Sequence, residues 1–361
     1  MRKYKIGIWG QFGDGVNKIA DGQAVRTTIM TKELKMRYGE ENIGIVNTNN
    51  WKRHPISFFF KTARLFFKSE RVTILPADGG FKVIVPLYDF FNKFSKKDIY
   101  YIIIGGFLPA LLREKPKYIK MLKNHKAMFA QTENIKLDLE GLGLYNVHIL
   151  SNPKRLNTRR EGELTLNENK VLSLCTLSRV SEDKGIEDAI NAVKLFNEKH
   201  GEKLLTLDVF GMIAPNYKER FDQLLEENNG IVEYKGIVDY DKTVEALSPY
   251  FALLFPTYYY GEGFPGGMID CFNTGIPVIA TDWLYNKDVI EHGKNGLLVP
   301  IKDHEAICDA IETLYNNRTL ALEIAKNNIK EAAKYHPDKV MADFYKLLDE
   351  QNKTIAATRK S

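Results

Sequence analysis

One stretch decides what this chain can fold into: residues 251–282, FALLFPTYYYGEGFPGGMIDCFNTGIPVIATD, read as strand, glycine-rich turn, helix, strand. Phe251 to Pro256 and Pro277 to Ala280 are short apolar runs of the kind that form strands buried on both faces. Between them, Met268, Ile269, Cys271 and Phe272 fall on the inner side of a helix that opens near Gly266 and stops at Gly275. The loop at the carboxyl end of the first strand then carries Gly261, Glu262, Gly263, Phe264, Pro265, Gly266 and Gly267, and a helix amino terminus points at the same place. Glycines let the backbone approach closely, while unpaired amides and the helix dipole favour negative charge. Glu262 in the turn and Asp270 eight positions on face one crevice, and carboxylates accept hydrogen bonds from hydroxyls. The pattern suits an anionic ligand rich in hydroxyl groups. On the turn alone, an ordinary strand-to-helix connection with an acidic cap reads equally well.

More of the chain bears on the choice. GEGFP followed by Asp270, then GIPVIATD, resembles the "E, seven residues, E" signature of retaining GT-B glycosyltransferases of family 4. SRVSEDKG (178–185), DVFG (208–211), YKGIVDYDK (234–242) and NGLLVP (295–300) each resemble a further block of that family, in order, across residues 170–345. The resemblance implies an α/β GT-B fold: two facing Rossmann-like domains with parallel sheets and a C-terminal crossover helix. It implies transfer of a sugar, with retention, from a nucleotide-diphosphate sugar to a glycan or lipid-linked glycan of the cell surface. A UDP-sugar is preferred to a GDP-sugar, and no cofactor or metal is expected. Arg179 and Lys184 are implied to neutralise the diphosphate, and Glu262 to hold sugar hydroxyls. Phe264, Pro265 and Gly266 offer nearby backbone, Asp270 the ribose contact, and Ile237 and Val238 the base contact. Gly211 at a strand tip and Gly22 after the first loop complete the donor set. Asp270 is shorter than the family's usual glutamate. A sugar-nucleotide epimerase and a non-catalytic, sugar-nucleotide-binding subunit remain as alternative readings.

A length of 361 residues accommodates two domains. The expected boundaries are 1–160 for an acceptor-side domain, 168–336 for the donor domain and 337–361 for the crossing helix, with the polar run NTRREGELTLNENK as linker. No apolar run reaches the roughly 18 residues of a membrane span, and MRKYKIGIWG enters a strand without a signal-peptide core, so a cytoplasmic protein is expected. Cys175, Cys271 and Cys308 read as buried free thiols, and a net charge of +5 is too mild to indicate nucleic-acid binding.

YKIGIW reads as the first strand, followed by the polar loop GQFGDGVNKIADG and a helix from Gly22–Ala24 to Gly39. WKRHPISFFFKTARLFFKSER interleaves aromatics with cations. As a helix it presents Phe59 and Phe67 beside Lys61, Arg64 and Lys68, a face suited either to an anionic membrane or, with the basic side merely solvated, to the core. VTIL, FKVIVPLY and DIYYIIIGG read as strands, as does AMFA at 127–130. Their ends offer Gly105, Gly106 and Glu133 but no histidine, so no general base is evident. In the second domain, Arg179 leaves a strand and Lys184 closes its loop, so both cations can converge on one point. Asp239 and Asp241 form a D-x-D pattern that reads as a helix cap. TIAATRKS reads as a frayed tail.

Overall fold

The computed structural model describes residues 3–13 and 22–358. Among these, the strands form two six-stranded sheets in which every pair is parallel. The first contains β1 (Tyr4–Gly10), β2 (Ile43–Asn47), β3 (Ser69–Leu75), β4 (Asp98–Ile102), β5 (Ala127–Ala130) and β6 (Val147–Ile149), in the order β2-β1-β3-β4-β5-β6. The second contains β7 (Leu172–Leu177), β8 (Leu205–Phe210), β9 (Val232–Gly236), β10 (Ala252–Phe255), β11 (Val278–Thr281) and β12 (Leu297–Val299), in the order β12-β11-β10-β7-β8-β9. Parallel neighbours need crossover connections, which is why helices separate most of these strands. They are α1 (Gly22–Tyr38), α2 (Pro55–Lys68), α3 (Asp78–Ser95), α4 (Leu108–Glu114), α5 (Lys117–Leu122) and α6 (Glu133–Gly141) in the first half. In the second half they are α7 (Ile186–His200), α8 (Lys218–Glu227), α9 (Thr243–Leu247), α10 (Gly266–Thr274), α11 (His304–Asn316) and α12 (Arg318–Ala332). The α/β class with two parallel sheets, expected from the sequence, is what the chain adopts.

FKVIVPLY is not a strand; it lies inside α3. Its β-branched residues and Pro86 argue against a helix locally, yet Phe81, Ile84, Val85, Tyr88 and Phe91 recur at helical spacing and all five are buried. Packing of that face outweighs the missing amide of Pro86.

After α12 the chain returns to the first sheet through α13 (Pro337–Val340) and α14 (Ala342–Thr358). Met341, Phe344 and Leu348 are fully buried among Ile6, Ile8, Met30 and Phe129, and the ring of Phe344 packs edge-on against Phe129 and Tyr100. Polar ties hold the same crossing: Arg155 binds Glu33 of α1 and Asp338 of α13, and Tyr38 donates to Asp349 at 2.8 Å. TIAATRKS is helical to Thr358, and 359–361 lie outside the described residues, as do 14–21 of the first glycine-containing loop. The three cysteines are free and buried.

Each sheet reverses its strand order once, between β1 and β3 and between β7 and β10. Loops leaving the strands on either side of such a reversal diverge and open a crevice at their carboxyl ends. Here the two crevices share one cleft.

Candidate active-site cleft

The cleft encloses about 540 Å³, and its walls come from both halves of the chain. One wall is formed by Gly22, Ala77, Asp78, Gly105, Gln131 and Asn152, which follow or end the first-sheet loops. The other holds Arg179, Lys184, Gly211, Ile237, Val238, Glu262, Phe264, Pro265, Gly266 and Asp270. All eleven cleft residues named from the sequence therefore line it. Gly211 has φ +137°, and a Cβ there would lie 1.7 Å from the Ser178 carbonyl oxygen, so only glycine fits. Gly22 is different: an added Cβ meets nothing within 4 Å, so no close approach to the protein requires glycine there.

Glu262 is nearly buried, and its Oε2 accepts from Lys184 Nζ at 2.5 Å and from the Thr257 hydroxyl at 2.8 Å. Among the described residues its Oε1 accepts no hydrogen bond. Lys184 also sits 4.7 Å from the centroid of the Tyr259 ring, whose phenol is pushed up to about 12, chiefly by burial. The loop that brings Lys184 here is pinned by the Tyr258 backbone N–H, which donates to the Asp183 carbonyl at 2.9 Å. Gly185 follows at φ +67°, where a Cβ would lie 2.1 Å from the Pro256 carbonyl oxygen. The Arg179 guanidinium is exposed and, among the described residues, bonded to nothing.

Asp270 is buried, and Lys154, a residue with no motif around it, donates to Oδ1 at 2.7 Å and Oδ2 at 3.0 Å. Thr243 donates to Oδ1 at 2.9 Å. A carboxylate offers about four acceptor positions, so one remains after these three bonds. Lys154 follows β6 while Asp270 lies in α10, so the pair bridges the two halves.

The halves also meet at the glycines. Gly106 donates its amide to the Gly261 carbonyl at 3.0 Å, and a Cβ on Gly106 would lie 2.1 Å from the Glu262 carbonyl oxygen. Beside it runs a polar chain: Gly105 N–H to Gln131 Oε1 at 2.9 Å, Gln131 Nε2 to Asn152 Oδ1 at 3.0 Å, and Asn152 Nδ2 to the Phe264 carbonyl at 2.7 Å. These bonds fix the turn that carries Glu262 from the opposite domain.

Other expectations need correcting. Glu133 pairs with Lys136 at the surface and does not line the cleft. Among the described residues, the acid that does line it from the first half is Asp78, at the start of α3, held by Lys82 at 2.9 Å. Reading FKVIVPLY as a strand hid that helix start. Asp239 and Asp241 do not cap α9, which begins after Lys242 with no side-chain cap.

Away from the cleft, α2 and α3 form an aromatic surface. Ile56, Phe59, Phe60 and Phe67 of α2 and Phe90 and Phe94 of α3 are between 45% and 74% exposed. Phe59, Phe67 and Phe90 all contact the ring of buried Phe91, which makes the patch continuous. On these helices and just past α3, Lys61, Arg64, Lys93 and Lys96 are exposed, and Lys68 is half-buried.

Comparison with known proteins bears on the cleft. Residues 157–334, which contain Arg179, Lys184, Glu262 and Asp270, match the family described as "Glycosyl transferases group 1". The second domain is similar to the group 1 glycosyltransferases. A capsular polysaccharide biosynthesis glycosyltransferase, CapM of Staphylococcus aureus, is 29% identical over 166 residues, 46% of this chain and 42% of CapM. The glycosyltransferase MJ1069 of Methanocaldococcus jannaschii is 24% identical over 299 residues, 80% of this chain and 71% of that protein. In three dimensions the chain is similar to HepE of Anabaena, solved in complex with UDP, with a TM-score of 0.70 at 13% identity, covering 98% of this chain and 100% of HepE. That likeness extends the GT-B architecture from the glycosyltransferase domain to the whole chain.

Proposed function

We propose that the chain transfers a sugar, with retention and without a metal, from a UDP-sugar to an acceptor in cell-surface polysaccharide or glycolipid synthesis. The observation that carries this is the Lys184–Glu262 pair, backed by buried Thr257, in one cleft with Arg179, which is unpaired among the described residues. Glu262 Oε1 receives a donor-sugar hydroxyl, and the open acceptor position of Asp270 receives a ribose hydroxyl. As the C1–O bond to the diphosphate breaks, its electron pair leaves with the phosphate oxygen. Arg179 and Lys184 neutralise the charge that develops there, which removes the need for a cation. C1 passes through an oxocarbenium-like state, and the acceptor hydroxyl adds to it and gives its proton to the departing diphosphate oxygen. HepE crystallised with UDP, and CapM named for capsular polysaccharide, support the choice of donor and product class.

The test is a thermal-shift screen of nucleotide sugars. A ligand at a hundred times its Kd stabilises the folded state by about 2.7 kcal/mol, so UDP-sugars are expected to raise the melting temperature by several degrees. A rise with GDP-sugars alone would overturn the donor assignment.

The aromatic surface of α2 and α3 supports a second element: the acceptor is reached at an anionic membrane on which the first domain rests. Aromatic side chains insert among headgroups, and each lysine or arginine near an anionic surface contributes about 1 kcal/mol. No helix among the described residues is long and apolar enough to cross a membrane, so contact would be through this face. Replacing Lys61, Arg64 and Lys68 by glutamine is expected to weaken binding to phosphatidylserine-containing vesicles on the order of a hundredfold, and reversing them to glutamate more so. Wild-type protein that fails to sediment with such vesicles would refute the membrane element and leave the transferase reading intact.

A further inference from the structure

A second group of chemistry-bearing side chains lies in the helical layer of the second domain, away from the cleft. Cys308, Asp309 and Glu312 stand on α11, and one ligand atom from each, Sγ and two carboxylate oxygens, lies within 4.8 Å of the others. These three do not line the cleft. Residues 308 and 312 are one turn apart on a single helix face, and 309 flanks them. From the last turn of α7, which packs against α11, His200 brings its Nε2 to 3.3 Å from Glu312 Oε1. The imidazole packs on the fully buried ring of Phe196, with centroids 4.4 Å apart, so its placement is set by the core. One sulfur, two oxygens and one nitrogen therefore converge from two helices.

Metal–ligand bonds to zinc of about 2.3 Å for sulfur and about 2.1 Å for oxygen and nitrogen set the ligand atoms of a tetrahedral site roughly 3.3–3.6 Å apart. His200 Nε2 and Glu312 Oε1 stand at that separation already, and the other atoms reach it by small side-chain rotations. The group also draws a cation. Lys199 Nζ lies 3.2 Å from Asp309 Oδ1, and its charge opposes the upward push that burial gives the Cys308 thiol. The lysine side chain is 43% exposed on a flexible stem, so it is free to swing into solvent when a stronger cation arrives. Cys308 decides which cation that is. Calcium and magnesium take oxygen ligands, whereas one thiolate with imidazole and carboxylates suits zinc.

We propose that Cys308, Asp309, Glu312 and His200 form a zinc site that ties the end of α7 to α11, with the Lys199 ammonium as the cation it displaces. The thiol gives its proton to solvent as the zinc–sulfur bond forms. α7 begins at Ile186, directly after the loop of Lys184, and runs 15 residues, about 22 Å, to His200. The zinc site is thus at the far end of the helix from the cleft, where it braces the fold and takes no part in the transfer reaction.

The experiment is titration of the full chain, free of any affinity tag and treated with chelator, with cobalt(II), followed by competition with zinc. Wild type is expected to take up one cobalt ion with the near-ultraviolet charge-transfer band of a cobalt–thiolate bond, and zinc to abolish that band and raise the melting temperature. Cys308→Ser is expected to lose the band, and His200→Gln to weaken zinc binding about tenfold. Lys199→Gln, which removes the competing ammonium, is expected to tighten zinc binding several-fold, the scale of one exposed ion pair. Should Cys308→Ser fail to fold by circular dichroism, the two exposed variants decide: zinc affinity unchanged in both overturns the proposal. A wild type without the thiolate band, or a band that persists in folded Cys308→Ser, overturns it as well. So does calcium or magnesium that displaces cobalt as readily as zinc, because the group is then a pair of carboxylates and nothing more.

Discussion

Lys154→Met is expected to destabilise the protein by roughly 3–5 kcal/mol, because removal of one partner strands a buried charge. Lys154 and Asp270 have side chains only 7% and 4% exposed, and the ammonium is bonded to both carboxylate oxygens. Without it, Asp270 keeps one hydrogen bond, from Thr243, and no counter-charge. The methionine fills much of the same volume, so the loss is electrostatic and not a cavity effect. The double variant Lys154→Met, Asp270→Asn should recover most of the stability, since a buried pair replaced as a pair is often close to neutral. Urea unfolding followed by circular dichroism measures both. A single variant within about 1 kcal/mol of wild type would show that water reaches the carboxylate and that the pair does not brace the two domains.

How much of this was legible beforehand depends on whether each signal is local. The turn at 261–267 was readable because glycines, a carboxylate and a helix start stand next to one another in sequence. SRVSEDKG was readable for the same reason, and the structure puts Lys184 beside Glu262. Lys154 was not readable: its partner is 116 positions away, and nothing near it in sequence marks it as more than a surface lysine. The error at FKVIVPLY has another origin. Its residue types favour a strand, and only the spacing of Phe81, Ile84, Val85 and Tyr88 betrays the helix. That single misreading hid both Asp78 in the cleft and Phe90 and Phe94 in the exposed patch, so the aromatic face looked smaller than it is.

Lys184→Ala is expected to cut turnover on the order of a hundredfold, the effect of removing one contact to charge that develops in the transition state. The form of the loss matters more than its size. A contact made chiefly to the departing diphosphate lowers kcat and kcat/KM together, whereas a contact equally strong to bound donor raises KM and leaves kcat alone. The structure adds a complication, since Lys184 also holds Glu262 Oε2 at 2.5 Å, so its loss could act by freeing that carboxylate to turn away from the donor sugar. Glu262 is not held by Lys184 alone: Thr257, fully buried, donates to the same oxygen at 2.8 Å. Thr257→Val therefore loosens Glu262 while keeping the Lys184 ammonium, at the further cost of the Tyr259 amide's contact to the same hydroxyl, and serves as the control. If Lys184 acts on the leaving group, Thr257→Val should affect turnover far less than Lys184→Ala, and Lys184→Arg should restore part of the rate by restoring the charge. Steady-state kinetics of donor consumption with these three variants separates the two roles. Equal losses in Lys184→Ala and Thr257→Val, with no recovery in Lys184→Arg, would make Lys184 a positioning residue for Glu262 and leave Arg179 as the group facing the diphosphate.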